Sequence, residues 1–124
     1  MRKHKERDAM RVLIAVIQPT KLTAVREALC KVGVTRMTIC DAQGYGRQRG
    51  QTAQYRGVEY KTNLLRKIAL EITVNDDFVE RAIEVIVSVA RTGPEGTIGD
   101  GKIFLLPLDE VVDMGRDLRG PEAI

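Results

Sequence analysis

The 124-residue chain predicts a single α+β domain whose elements follow the order β-α-β-β-α-β. Three observations carry that reading. Four short apolar segments are rich in β-branched residues and end in turn signals. Two longer segments repeat apolar residues every three or four positions. The 44% hydrophobic content supplies one core and leaves no room for a second. Right-handed crossovers and short connections fold this order into a four-stranded antiparallel sheet with both helices on one face.

Each element has its own signal. RVLIAVIQP is an apolar run closed by Pro19, hence a strand. In TKLTAVREALCKVG, residues Leu22, Val25, Leu29 and Val32 form one helical stripe, with Thr20 as N-cap and Gly33 as the C′ residue. TRMTICDAQ sets Met37 and Ile39 against Thr38 and Cys40, a second strand. KIALEITV alternates cleanly: Ile68, Leu70, Ile72 and Val74 point one way, while Lys67, Ala69, Glu71 and Thr73 point the other. NDDFVERAIEVIVSVARTG is the second helix. Asn75 caps it, Asp76 and Asp77 suit its positive end, Arg91 suits its negative end, and Val79, Ala82, Ile83, Ile86 and Ala90 form the buried stripe. KIFLLPL is the fourth strand, followed by an acidic C-terminal segment over 108–124.

This is the ferredoxin-like arrangement. Its helices cover one side of the sheet only, so the other side faces water or protein. Short residues there, Ala69 and Thr73, allow close packing of another copy, and a homo-oligomer is expected.

Composition narrows the function classes. No apolar run approaches the ~18 residues of a membrane span, and no insertion into a membrane is expected. The opening MRKHKERDA has no apolar core of a secretory signal, so residues 1–9 read as a flexible basic leader before a domain over 10–124, with Met10 as a plausible alternative start. Cys30 and Cys40 lack C-x-x-C spacing and read as small buried thiols in a reducing cytoplasm. The single histidine, His4, lies in the leader, so no histidine triad or metal cage is available, and no enzyme activity is expected. Most carboxylates are explained by helix ends or solvated faces; Glu71, a lone acid on the open sheet face, is the exception.

Charge is segregated. Residues 44–67 hold six cations against one carboxylate, whereas residues 68–124 hold five against twelve. The basic block is the stretch GYGRQRGQTAQYRGVEYKTNLLRK, far longer than the two to five residues that normally join strands. Loops of this length in small domains are usually functional, and a charged projection over 44–64 is expected. Its GYGRQRG is one residue too long for a dinucleotide fingerprint and opens no helix. GTIGDGK fits G-x-x-x-x-G-K, but Ile103 stands where a P-loop carries Ser or Thr, and a strand follows. Its glycines beside Lys102 could instead form an N–H nest for an anion. An RNA-recognition module shares this element order, but the two central strands lack the aromatic residues that stack bases, and no nucleic acid partner is expected.

Together, GYGRQRGQTAQYRGVEY, RTG…IGDGKIF and IAVIQPTKLTAVREAL closely resemble the P-II nitrogen regulatory signal-transduction proteins, from about Met10 to Phe104. The resemblance implies a cytoplasmic, non-enzymatic homotrimer whose long loop docks onto targets such as an ammonium transporter, a glutamine synthetase-modifying enzyme or a regulator kinase. It implies ATP or ADP between subunits, at Thr38, Gly44, Gly46, Arg47, Gln48, Glu71, Gly99, Asp100, Gly101 and Lys102, with 92–102 as the nucleotide-binding loop. It implies 2-oxoglutarate at Gln48 and Lys67 beside Mg2+-ATP, with Gln48 close to the metal, and Tyr60 as the place of a modifiable tyrosine.

The chain departs from that pattern at named positions. Gln18 replaces a Lys or Arg, and Thr35–Thr38 lacks a glycine in second place. Pro94–Gly96 adds three residues to the nucleotide loop, and Thr97 takes a place often held by lysine. Asp113-Met114-Gly115 stands where the family carries Arg-x-Arg. Losing two cations removes charge-assisted hydrogen bonds worth roughly 1.5–3 kcal/mol each. These departures keep a second expectation open, a divergent P-II-like paralogue serving transport or carbon control through a different small ligand.

Overall fold

The computed structural model describes residues 9–46 and 63–124. Six strands and two helices are found there: β1 (Met10–Ile17), α1 (Leu22–Lys31), β2 (Thr38–Gly46), β3 (Asn63–Asn75), α2 (Val79–Ala90), β4 (Gly101–Leu108), β5 (Val112–Asp113) and β6 (Leu118–Arg119). The first four major strands form one antiparallel sheet in the order β2-β3-β1-β4, and β5 pairs with β6 in a small hairpin. The ferredoxin-like expectation holds.

Period-two alternation decides which side each strand buries. Leu13, Ala15 and Ile17 of β1 stand opposite Ile72, Leu70 and Ile68 of β3, and all six are buried. The helices close over them with Val25 and Leu29 from α1 and Ala82, Ile86 and Ala90 from α2. Each large aliphatic side chain so enclosed stabilises the fold by about 1.5–3 kcal/mol relative to exposure. The predicted stripe of α2 is buried except for Ile83, which is half-buried. On the opposite side, Val12, Ile14 and Val16 stand beside Ala69 and Thr73, and Phe104 and Leu106 remain 50% and 46% exposed. The middle of the open face is therefore apolar, with Glu71 and Lys102 exposed beside it.

Helix ends hold both a success and two corrections. Gly33 has φ +102, and the Gly33 and Val34 N–H groups donate to the Cys30 and Leu29 carbonyls, the paired bonds of a Schellman stop. Thr20 is not the N-cap: Pro19–Lys21 is a 3-10 turn leading into α1, and no side chain caps it. Proline already removes one orphan N–H there. Asn75 likewise precedes a 3-10 turn, Asp76–Phe78, and makes no side-chain cap. Asp76 instead faces Arg11 at 3.2 Å while its N–H donates to the Ala9 carbonyl, joining the end of β3 to the start of β1. Arg91 stands at the negative end of α2 as its C-cap, in extended conformation, with its N–H donating to the Val87 carbonyl at 3.1 Å.

Both cysteines are exposed in the chain, contrary to expectation. Cys30 lies off the Val25–Leu29 stripe, and Cys40 sits opposite Ala69 on the open face of an edge strand. The ladder also extends further into the basic stretch than expected. Gly44, Tyr45 and Gly46 pair with Leu65, Leu64 and Asn63. No helix among the described residues is long and apolar enough to cross a membrane.

Candidate functional site

The first locus is the glycine-rich segment between α2 and β4. Asp100 organises it. One carboxylate oxygen accepts from the Thr92 N–H at 2.9 Å and the Thr97 N–H at 2.8 Å; the other accepts from the Thr92 hydroxyl at 2.6 Å. These donors, the Thr92 N–H foremost, then the Thr92 hydroxyl and the Thr97 N–H, together with the charge of Lys21, hold its pKa down at about 2. The Asp100 N–H donates back to the Thr97 carbonyl at 3.1 Å, closing a turn over Thr97–Asp100. Gly99 occupies the third place with φ +100, where a type II turn needs a positive φ.

Pro94–Gly96 lies within this clamp. Gly96 lies against the Arg91 stem and the Asp100 carboxylate, and the Arg91 guanidinium reaches the Pro94 carbonyl at 3.5 Å. Pro94–Gly96 thus lie in the span between Thr92 and Thr97 that the Asp100 bonds close. Gly101 starts β4 with φ +127, and a Cβ there would overlap the Val16 carbonyl oxygen. No other residue fits. Lys102 follows, exposed and opposite Val16. Lys67, from the base of the basic stretch, donates to the Gly99 carbonyl at 2.8 Å. Two lysines therefore stand beside one short glycine-rich segment, side-chain and backbone donors of a kind suited to phosphate or carboxylate oxygens.

A second locus lies at the other end of the sheet. Thr38 and Glu71 face each other across β2 and β3, both exposed. They border a cleft of about 700 Å³ that Arg36, Thr73, Asp77, Phe78 and Ile124 also line. Glu71 pairs with Ile14, and Ile14 with Phe104, whereas Lys102 pairs with Val16. Glu71 and Lys102 thus lie on one face but two strands and two residues apart, roughly 12 Å by strand spacing. Among the described residues of one chain, the two loci do not share a single pocket. Arg47, Gln48 and Tyr60 lie outside the described residues. Gly44 and Gly46 lie on β2, where the basic stretch leaves the ladder.

The matched family model is Nitrogen regulatory protein P-II, over residues 10–117. The chain belongs to the P-II family. It is 47% identical over 116 residues to nitrogen regulatory protein GlnK1 of Methanosarcina mazei, an alignment covering 94% of this chain and 98% of that one. It is 46% identical over 115 residues to the P-II protein of Azospirillum brasilense, covering 93% and 100% of the two chains. Among solved structures it is similar to the B. subtilis GlnK–ATP complex, with TM-score 0.77 and 26% identity, over 94% of this chain and 97% of that one. Arabidopsis thaliana PII bound to citrate matches with TM-score 0.75 and 32% identity, covering 94% and 92%.

Against the P-II pattern, the Asp113 region is informative. Asp113 accepts from the Gly115 and Arg116 N–H groups at 2.9 and 3.0 Å, and Arg116 returns its guanidinium at 3.3 Å. Those bonds, that from the Arg116 N–H foremost, lower its pKa. Arg119 pairs with Glu110 at 3.1 Å. The two cations that follow Asp113 are thus already partnered. Two contacts had no separate signal in the sequence: Lys67 with Gly99, 32 positions apart, and Asp100 with Thr92. Neither spacing is distinctive until α2 and β4 place the ends together.

Proposed function

We propose that this chain is a non-enzymatic signal-transduction regulator of nitrogen metabolism that acts in the cytoplasm as a homotrimer. ATP or ADP binds between copies, with its phosphates at Gly99–Lys102 of one and its base and ribose at a cleft like that of Thr38 and Glu71. The basic loop over 44–64 presents the result to target proteins. 2-Oxoglutarate binds beside Mg2+-ATP at Lys67 and Gln48, and Tyr60 is a place for covalent modification.

The observation that carries this reading is the glycine loop. Gly101 tolerates no Cβ, and Lys67 and Lys102 stand at its two ends. The apolar open face, with Phe104 and Leu106 half-exposed, supports assembly, because a patch of that kind calls for a protein partner. The separation of the two loci within one chain supports a site completed by a second copy. The GlnK–ATP and PII–citrate structures lend support from relatives, citrate being a polycarboxylate as 2-oxoglutarate is a dicarboxylate. Mg2+ would be held through Gln48 and the phosphates; no cluster of three or more His, Cys, Asp or Glu exists among the described residues to hold it otherwise.

Ligands that bind only the folded trimer raise its melting temperature. Mg2+-ATP with 2-oxoglutarate is expected to raise it more than either alone. The absence of any shift with millimolar ATP or ADP sinks the reading. A second reading, a paralogue controlling transport or carbon flow through another small ligand, is favoured by the Asp113–Arg116 and Glu110–Arg119 pairs. A bicarbonate-dependent shift in the ATP complex, with none from 2-oxoglutarate, selects it.

A further inference from the structure

A carboxylate in the middle of an anion-binding loop poses a physical problem. If the Asp100 charge faced a phosphate at a few ångströms, like-charge repulsion would oppose binding. The geometry answers it. Both oxygens of Asp100 turn inward, toward Thr92 and Thr97, and carry three short hydrogen bonds between them. These bonds span Pro94–Gly96 from both ends. Gly99 and Gly101, on either side of Asp100, carry no side chain to block an approaching anion, and both take positive φ.

We propose that the Asp100 carboxylate is a positioning group that touches no nucleotide: with Thr92 it clamps the loop so that the Gly99–Lys102 backbone keeps the shape an anionic ligand requires. This rests on the nucleotide reading above. It revises the role that resemblance implies for Asp100, from ligand contact to internal brace, and it assigns a function to Thr92, which has none. The clamp also closes the span that holds Pro94–Gly96 before the chain reaches Gly99.

The test uses the full chain and calorimetric titration with Mg2+-ATP. Thr92→Val removes only the hydroxyl donor, at an exposed position, and leaves the fold intact. Weakening of about fivefold or more is expected for Thr92→Val and for Asp100→Asn. The double variant should be no weaker than Asp100→Asn alone, because the two groups act as one unit. Thr92→Ser, which keeps the hydroxyl, should restore near-wild-type affinity. Hydrogen exchange at the Thr97 amide should quicken in Thr92→Val and Asp100→Asn but not in Thr92→Ser.

Wild-type binding with Thr92→Val unaffected would overturn the assignment and leave the nucleotide reading standing. So would tighter binding by Asp100→Asn, since that outcome means the carboxylate faces the phosphates. No ATP binding by the wild-type chain overturns the nucleotide reading and this assignment with it. Thermal melts of each variant separate loss of affinity from loss of fold.

Discussion

Asp100 and Asp113 flank β4, and each accepts hydrogen bonds from two backbone N–H groups, yet they do different work. The Asp113 bonds reach two and three residues along the chain and shape only their own hairpin. Those of Asp100 reach three and eight, tying the exit of α2 to the entry of β4. Asp113 also has a cation, Arg116, against it, whereas all three donors to Asp100 are neutral. A carboxylate bonded to neighbours in sequence shapes a turn. One bonded across a loop sets where its two ends stand. The difference lies in which segments the bonds join, not in their number.

The sharpest way to probe the first region is Gly101→Ala. The new methyl group meets the Val16 carbonyl, and φ +127 is costly for alanine, so a loss of about 2–4 kcal/mol is expected in urea unfolding. An unchanged midpoint means β4 starts elsewhere. Lys67→Met comes next. It removes the Gly99 contact and is expected to cost about 1 kcal/mol, with loss of any thermal shift from 2-oxoglutarate.

The two aspartates are then compared by replacing each with alanine. Asp100→Ala should speed exchange of the Thr92 and Thr97 amides and broaden the signals of Gly99 and Gly101. Asp113→Ala should affect only Gly115 and Arg116. Equal spread from both removes the distinction. The smallest effect concerns pH. Asp100 has a folded pKa lowered from 3.8 to about 2, so its bonds add stability that is fully present above its unfolded value and is lost as pH falls through about 2. Asp113, also lowered, follows the same sign below the ordinary aspartate range. Carboxyl titration by NMR reads both, and a normal midpoint at Asp100 shows that the clamp is open in solution.

Much of the fold was legible because it rests on short-range rules. Ile68, Leu70, Ile72 and Val74 on the buried side of β3 follow from alternation, and the Gly33 stop follows from the freedom of glycine at positive φ. The misreadings share a cause. Thr20 and Asn75 have the right chemistry for caps, but each stands at a 3-10 turn whose geometry directs no N–H onto the side chain. Cys30 and Cys40 are small and apolar enough for a core, but residue type does not say which side of a helix or strand is covered.

From the sequence alone came the element order, the two sides of the sheet, the segregated charge and the motifs that mark a P-II protein, because periodicity and local chemistry are written in neighbouring residues. Only the folded chain decided that Lys67 reaches Gly99, that Asp100 turns inward onto Thr92 and Thr97, and that Glu71 and Lys102 stand at separate loci. Those facts depend on residues brought together by β1 pairing with both β3 and β4. Contact between distant segments is a property of packing, which no local pattern encodes.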